Sequence, residues 1–113
     1  MNMLENKIDD ITVIAISGRI DLSSSKDLEE YLDKTINSNS KIIMDLSNTE
    51  YVSSSGLRVM LGALKKSKKK KSYLILASPQ LMVRNVLEIS GLSTIFPVYR
   101  DVEAAIRSLD PNI

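Results

Sequence analysis

The chain opens with two short apolar-rich runs, Met3 to Ile8 and Thr12 to Ser17, separated by Asp9-Asp10. That pattern predicts a β-hairpin closed by an acidic turn. Within the second run Val13-Ile14-Ala15-Ile16 is unbroken, as expected of a strand covered on both faces. Gly18 to Ser25 reads as a loop. The period then changes. Leu28, Tyr31, Leu32 and Ile36 fall at helical spacing and predict a helix from about Lys26 to Asn37, with Ser24 and Ser25 placed as N-caps.

Asn37-Ser38-Asn39-Ser40 breaks that helix, and Ile42 to Leu46 reads as a buried strand followed by a polar loop. Leu57, Met60, Leu61 and Leu64 predict a second helix with those four residues facing the sheet. Tyr73 to Ala77 is a further strand. Pro79 suits a first helical turn, Val83, Val86 and Leu87 stripe the helix behind it, and Gly91 fits its left-handed stop. Ile95 to Val98 predicts a short strand, at an edge because Pro97 cannot donate to a ladder. Val102, Ala105, Ile106 and Leu109 stripe a last helix. The order ββαβαβαβα predicts one α/β domain over 1–113, a mostly parallel mixed sheet of about five strands covered by about four helices.

Composition narrows the chemistry. The chain holds neither histidine nor cysteine. Ser-His-Asp catalysis, histidine general bases, thiolate metal sites and disulfides are therefore excluded, and the missing cysteine fits a reducing, cytoplasmic setting. The formal charge is +1, so no global field attracts nucleic acid, and direct nucleic-acid binding is not expected. No apolar run approaches the roughly 20 residues of a membrane span, and no signal-peptide pattern opens the chain.

The informative segment is Asp45 to Leu57, a strand, a polar stretch and then Ser53-Ser54-Ser55-Gly56 at a helix start. Free backbone N–H groups at such a start favour an anion, so a phosphate on one of these serines is locally tolerated. The residue types alone fit a plain helix N-cap at least as well. Gly56 reads equally as backbone geometry or as a gap through which a partner approaches Ser54.

Three motifs, in order, change that balance. Ser17-Gly18-Arg19-Ile20-Asp21 resembles the Gly-x-Leu/Ile-Asp that ends the second strand of STAS domains in bacterial anti-sigma factor antagonists. Asp45 to Leu57 resembles that family's strand, loop and Asp-Ser-Ser/Thr-Gly-Leu helix start, and Gly91 to Val98 with Asp101 to Ala105 its closing strand and helix. The resemblance covers the chain from first strand to last helix and implies a STAS-like fold. It also implies a protein, not an enzyme, that binds an anti-sigma factor when unphosphorylated and so frees a sigma factor. A serine kinase, in the family the anti-sigma factor itself, switches it off, and a serine phosphatase restores it. The acceptor maps to Ser54, with Ser53 and Ser55 as alternates. Asp21, Ser53, Ser54, Ser55 and Gly56 map to the partner surface, although Asp21 also reads as a capping residue. Ser53 stands where the family has aspartate, which keeps open a STAS-type module of a stress-signalling or lipid-transport assembly. No cofactor is implied, and a monomer is expected when the chain is free.

An enzyme reading finds no support. Ser54 has no histidine to activate it, and the nearby Arg58 stays protonated. Asp21 and Asp45 lack the paired acidic residues of a phosphoacceptor pocket, and there is no Walker-type glycine loop. Lys65, Lys66 and Lys68 to Lys71 are the densest charge run. They read as a solvated helix end suited to the helix dipole, with a patch for an acidic partner or anionic lipid as the alternative.

Overall fold

A computed structural model describes residues 1–110, so the last three positions of the expected 1–113 unit lie outside the described residues. The elements are β1 (Asn2–Ile8), β2 (Ile11–Ile20), α1 (Leu22–Ser38), β3 (Lys41–Val52), α2 (Ser54–Lys69), β4 (Tyr73–Ala77) and α3 (Leu81–Ile89). A 3-10 turn (Leu92–Thr94), β5 (Val98–Tyr99) and α4 (Val102–Leu109) complete them. Their order is the expected ββαβαβαβα.

The five strands lie in one mixed sheet in sequence order, β1 antiparallel to β2 and every later pair parallel. Each parallel strand is therefore added on the same side of its predecessor. Right-handed crossovers then place α1, α2 and α3 on one face, and only the element after the last strand is left for the other. The packing agrees. Ile14, Ile16, Ile42, Met44, Leu74 and Leu76 meet Leu28, Leu32, Met60, Leu64, Val83 and Leu87 on one side. On the opposite side Val13, Ile43 and Ile75 meet Ala105 and Leu109 of α4.

Several boundaries differ from expectation. β2 does not stop before Gly18 but runs on to Ile20, and α1 begins at Leu22 rather than near Lys26. Gly18 makes the continuation feasible by taking φ +95 at a register shift, which non-glycine residues resist. The cap of α1 is Asp21, while Ser24 and Ser25 lie buried inside the helix. β3 continues through the expected polar loop to Val52, because Asn48, Thr49, Tyr51 and Val52 pair with the end of β2 across two register shifts. The bulge lets polar residues face water, while Thr49 is buried with its hydroxyl donating to the Ile16 carbonyl at 2.7 Å.

In α2 the buried line is Gly56, Met60, Ala63, Leu64 and Ser67, so Leu57 and Leu61 pack on the flank of the core instead of beneath the helix. Pro79 precedes the Gln80 cap of α3 instead of entering its first turn, since Ser78 at φ 58 turns the chain first. Gly91 is the expected left-handed stop, at φ 83. The last strand is Val98–Tyr99 rather than Ile95 to Val98. Phe96 turns into the core, and the Pro97 carbonyl accepts from Leu76 at 3.0 Å.

Candidate functional site

β4 pairs with β3 only as far as Asp45, whereas β2 and β3 continue together to Ile20 and Val52. The ends of β2 and β3 therefore project as a two-stranded ribbon, from which α1 and α2 both start. The Ser53 amide donates to the Ile20 carbonyl at 2.8 Å, fixing the first turn of α2 against that ribbon. Gly56 completes the junction. A Cβ there would lie 2.7 Å from Ile20 Cγ2, 3.0 Å from the Ile20 carbonyl oxygen and 3.0 Å from Val52 Cγ1. The absent side chain thus points into the protein's own packing, where it lets α2 approach β2.

The three serines are not equivalent. Ser53 is the N-cap, and its Oγ accepts from the Gly56 amide at 3.2 Å. Ser55 is half-buried. Ser54, the first residue of α2, is exposed, and its hydroxyl has no hydrogen-bond partner among the described residues. By helix geometry the N–H groups of Ser54 and Ser55 have no acceptor within α2. An anion on Ser54 would meet these donors and the positive end of the helix dipole. Arg58, one turn on, is also exposed and makes no ion pair among the described residues.

Asp21 sits at the adjoining start of α1. Its Oδ1 accepts from the Ser23 amide at 3.1 Å and the Ser23 hydroxyl at 2.7 Å, while its own amide donates to Ser24 Oγ at 3.0 Å. The Ser23 hydroxyl, ahead of an opposing desolvation and then backbone and Ser24 hydrogen bonds, holds the Asp21 carboxyl below its ordinary pKa. The capping role read from sequence is therefore present. Asp21 also lies 3.8 Å from the Arg19 guanidinium, which stacks 4.5 Å from the centre of the Tyr51 ring.

Arg19, Tyr51 and Leu22 join the expected residues at this end. Leu22 is 80% exposed, a large apolar side chain beside the capped helix start. The Arg19–Tyr51 stack follows from register pairing across the bulge, which the alternation of apolar residues does not reveal. Leu22 had a legible signal, an isolated leucine between Asp21 and a serine run.

The STAS domain model matches residues 3–105. The chain belongs to the STAS domain family. This STAS protein is 33% identical over 106 residues to BtrV of Bordetella bronchiseptica, a protein named as an anti-sigma factor antagonist, covering 93% of this chain and 91% of that one. It is 28% identical to the anti-sigma F factor antagonist of Paenibacillus polymyxa, covering 88% of this chain and 87% of that protein. Among solved structures it superposes on unphosphorylated SpoIIAA, an anti-sigma factor antagonist, with a TM-score of 0.80 at 22% identity, covering 96% of each chain. SpoIIAA of Bacillus in its phosphorylated form superposes at 0.75 and 20% identity, covering 96% of this chain and 100% of that one. Among the described residues no helix is long and apolar enough to cross a membrane.

Proposed function

We propose that this STAS protein is an anti-sigma factor antagonist whose binding is switched off by phosphorylation of Ser54. The observation that carries the reading is the exposed, unpartnered Ser54 hydroxyl at the first position of α2. Ser53 is occupied as the cap and Ser55 is half-buried, so geometry favours Ser54 among the three. The relatives named as anti-sigma factor antagonists, and the phosphorylated form of SpoIIAA, support the same reading. In this role the chain works in the cytoplasm, is a monomer when free, and binds the anti-sigma factor through Asp21, Ser53, Ser54 and Ser55. Leu22 adds an apolar anchor, while Gly56 acts by seating the helix.

The switch follows from two unequal energies. A phosphoserine carries about −1.5 to −2 charges. At the start of α2 the dipole offsets ~0.3–1 kcal/mol, up to ~2 in partly buried geometry. Closing a partner over an unpaired charge costs ~2–5 kcal/mol. The second term is larger, so the fold persists while partner affinity falls by roughly one to three decades. A serine kinase and a serine phosphatase complete the cycle, and the chain itself does no catalysis.

Ser53 in place of the family's aspartate favours one second reading, a STAS module of another assembly that is never phosphorylated. Purification from the native host separates them. A co-purifying kinase-type anti-sigma factor and added mass localised to Ser54 support the switch. An unmodified chain bound to a membrane transporter supports the module.

A further inference from the structure

The C-terminal end of α2, remote from Ser54, is basic, while the Asp9-Asp10 turn at the same end of the sheet pairs through Asp10 with Lys41. Lys65, Lys66 and Lys68 to Lys71 are six of the fifteen cations, so the rest of the chain sets nine cations against fourteen carboxylates. Only Lys66 of the six is ion-paired among the described residues, with Asp33 at 3.0 Å; the other five are exposed and unpaired. α2 runs from Ser54 to Lys69, 16 residues or about 24 Å, so the cluster and Ser54 occupy opposite ends of one helix.

The helix dipole does not account for the whole cluster, because its effect fades within the last turn. Lys71 lies beyond the helix in a left-handed conformation, φ 57, at a position where glycine is the relaxed choice. The Ser72 amide reaches back to the Ser67 carbonyl at 2.8 Å, so this turn is fixed and holds Lys71 outward. Two residues on, Tyr73 is 59% exposed at the start of β4, on the α4 face of the sheet beside Ser108 and Leu109, so it flanks the cluster from the sheet's other side. Beside Lys70 and Ser72 a shallow depression of about 450 Å³ is lined by Asn37, Ser38 and Ser40, and by Asn39, whose amide is already bound to Thr12 and the Thr35 carbonyl.

We propose that this end is a docking surface for anionic phospholipid, by which the protein rests reversibly on a membrane with Ser54 facing away. Three features select a lipid surface over other anions. Lysines are strongly hydrated point charges without the fixed fork of arginine, suited to a fluid array of phosphates rather than to one phosphate or a base edge. Tyrosine, with an apolar ring and a polar tip, suits the headgroup level. The Ser38 and Ser40 hydroxyls and the Asn37 amide beside Lys70 fit polar headgroups. Clusters of four to eight lysines bind anionic membranes in this way, each adding roughly fivefold in affinity near the surface.

The test is co-sedimentation of the full chain with phosphatidylcholine vesicles, alone or with roughly one third phosphatidylglycerol. Binding is expected only to the anionic vesicles, at low salt, and should vanish in roughly 0.5 M salt. Replacing Lys68, Lys69 and Lys70 together by glutamine should weaken it at least tenfold, replacing them by arginine should preserve it, and Tyr73→Ser should weaken it a few-fold. Thermal melts of each variant verify the fold. The proposal is overturned if neutral vesicles bind equally, if the glutamine variant binds as wild type, or if neither vesicle binds. Tighter binding to a DNA duplex or to polyglutamate than to anionic vesicles also overturns it, and reassigns the surface to nucleic acid or to an acidic protein.

Discussion

The Ser53 amide and the Ile20 carbonyl, 2.8 Å apart, join the start of α2 to the end of β2. This bond sets where Ser54 stands, because Ser54 is the next residue and begins the helix. It also brings Leu22 and Asp21, which follow Ile20, to the same end of the molecule. A partner docking on Ser54 would therefore meet an exposed hydroxyl, the capping carboxylate of Asp21 and a leucine at one end of the ribbon.

Gly56→Ala tests the rigidity of that junction. The new methyl would meet Ile20 Cγ2 at 2.7 Å and the Ile20 carbonyl oxygen at 3.0 Å, and the carbonyl belongs to backbone that cannot swing aside. Overpacking of this kind costs about 1–3 kcal/mol. Urea unfolding should show a loss in that range. A change under about 0.5 kcal/mol would mean that α2 slides outward freely, and the close seating would then be immaterial.

The core of α2 offers a paired comparison. Met60 is fully buried, whereas Leu61 is only half-buried on the flank. Met60→Ala should cost about 2–5 kcal/mol, and Leu61→Ala clearly less. Equal losses would place the helix about one residue round from its position here.

These positions show what was legible in the chain. Unbroken runs such as Ile42-Ile43-Met44 announce strands covered on both faces, and Leu28, Leu32 and Ile36 announce a helix through its period of 3.6. The ribbon was not legible. After Leu46 the buried residues of β3 are Thr49 and Val52, spaced by three, since a bulge breaks the alternation. The start of α1 was hidden for a related reason. Its first turn is Leu22-Ser23-Ser24-Ser25, with the leucine outside and two serines inside, the reverse of an amphipathic pattern. Of the site, the serine cluster and Asp21 were legible as motifs. The Arg19–Tyr51 stack needs the bulged register and could not be seen without it.

Asp21 should impose a pH dependence on stability. Its carboxyl is held below its ordinary value in the folded protein, chiefly by the Ser23 hydroxyl. A depressed carboxylate contributes stability that is fully present above its unfolded pKa, about 3.9, and is lost as pH falls through the lower folded value. Asp21→Asn retains a capping oxygen but no titration. The stability difference between wild type and this variant should therefore be flat at neutral pH and shrink under acid. Chemical denaturation at a series of pH values reads it directly, and a difference that persists unchanged into strong acid would rule the linkage out.

Leu22 separates binding from folding. At 80% exposure it contributes little packing, so Leu22→Ala should leave stability within about 0.5 kcal/mol. If it anchors the anti-sigma factor, truncation should weaken binding by about 1 kcal/mol or more, through the lost burial of most of a leucine side chain. Calorimetric titration against the partner gives the second number. Unchanged affinity would confine the contact to the α2 side of the ribbon.

Ser54 carries the functional reading, and its variants should behave unequally. Ser54→Asp places a carboxylate at the first position of α2, where the helix dipole favours it, so the melting temperature should hold or rise slightly. If an anti-sigma factor closes over this position without supplying a counter-charge, the added charge is desolvated there, and affinity should drop roughly tenfold or more. Ser54→Ala removes a hydroxyl that holds no hydrogen bond among the described residues, so it should fold and bind as wild type while accepting no phosphate. Ser53→Ala is the necessary contrast. It removes the Gly56 cap bond and should lower stability by about 0.5–2 kcal/mol without blocking phosphorylation. Arg58→Gln removes the cation one turn from Ser54, so phosphorylated Arg58→Gln should melt below phosphorylated wild type by more than the unphosphorylated pair differ. A kinase assay with each variant, read by site-localised mass spectrometry, decides the acceptor. Phosphate entering Ser54→Ala at the wild-type rate would move the switch to Ser53 or Ser55. Tight binding by Ser54→Asp would show that the interface tolerates charge at this position, and the energetic argument for the switch would fail.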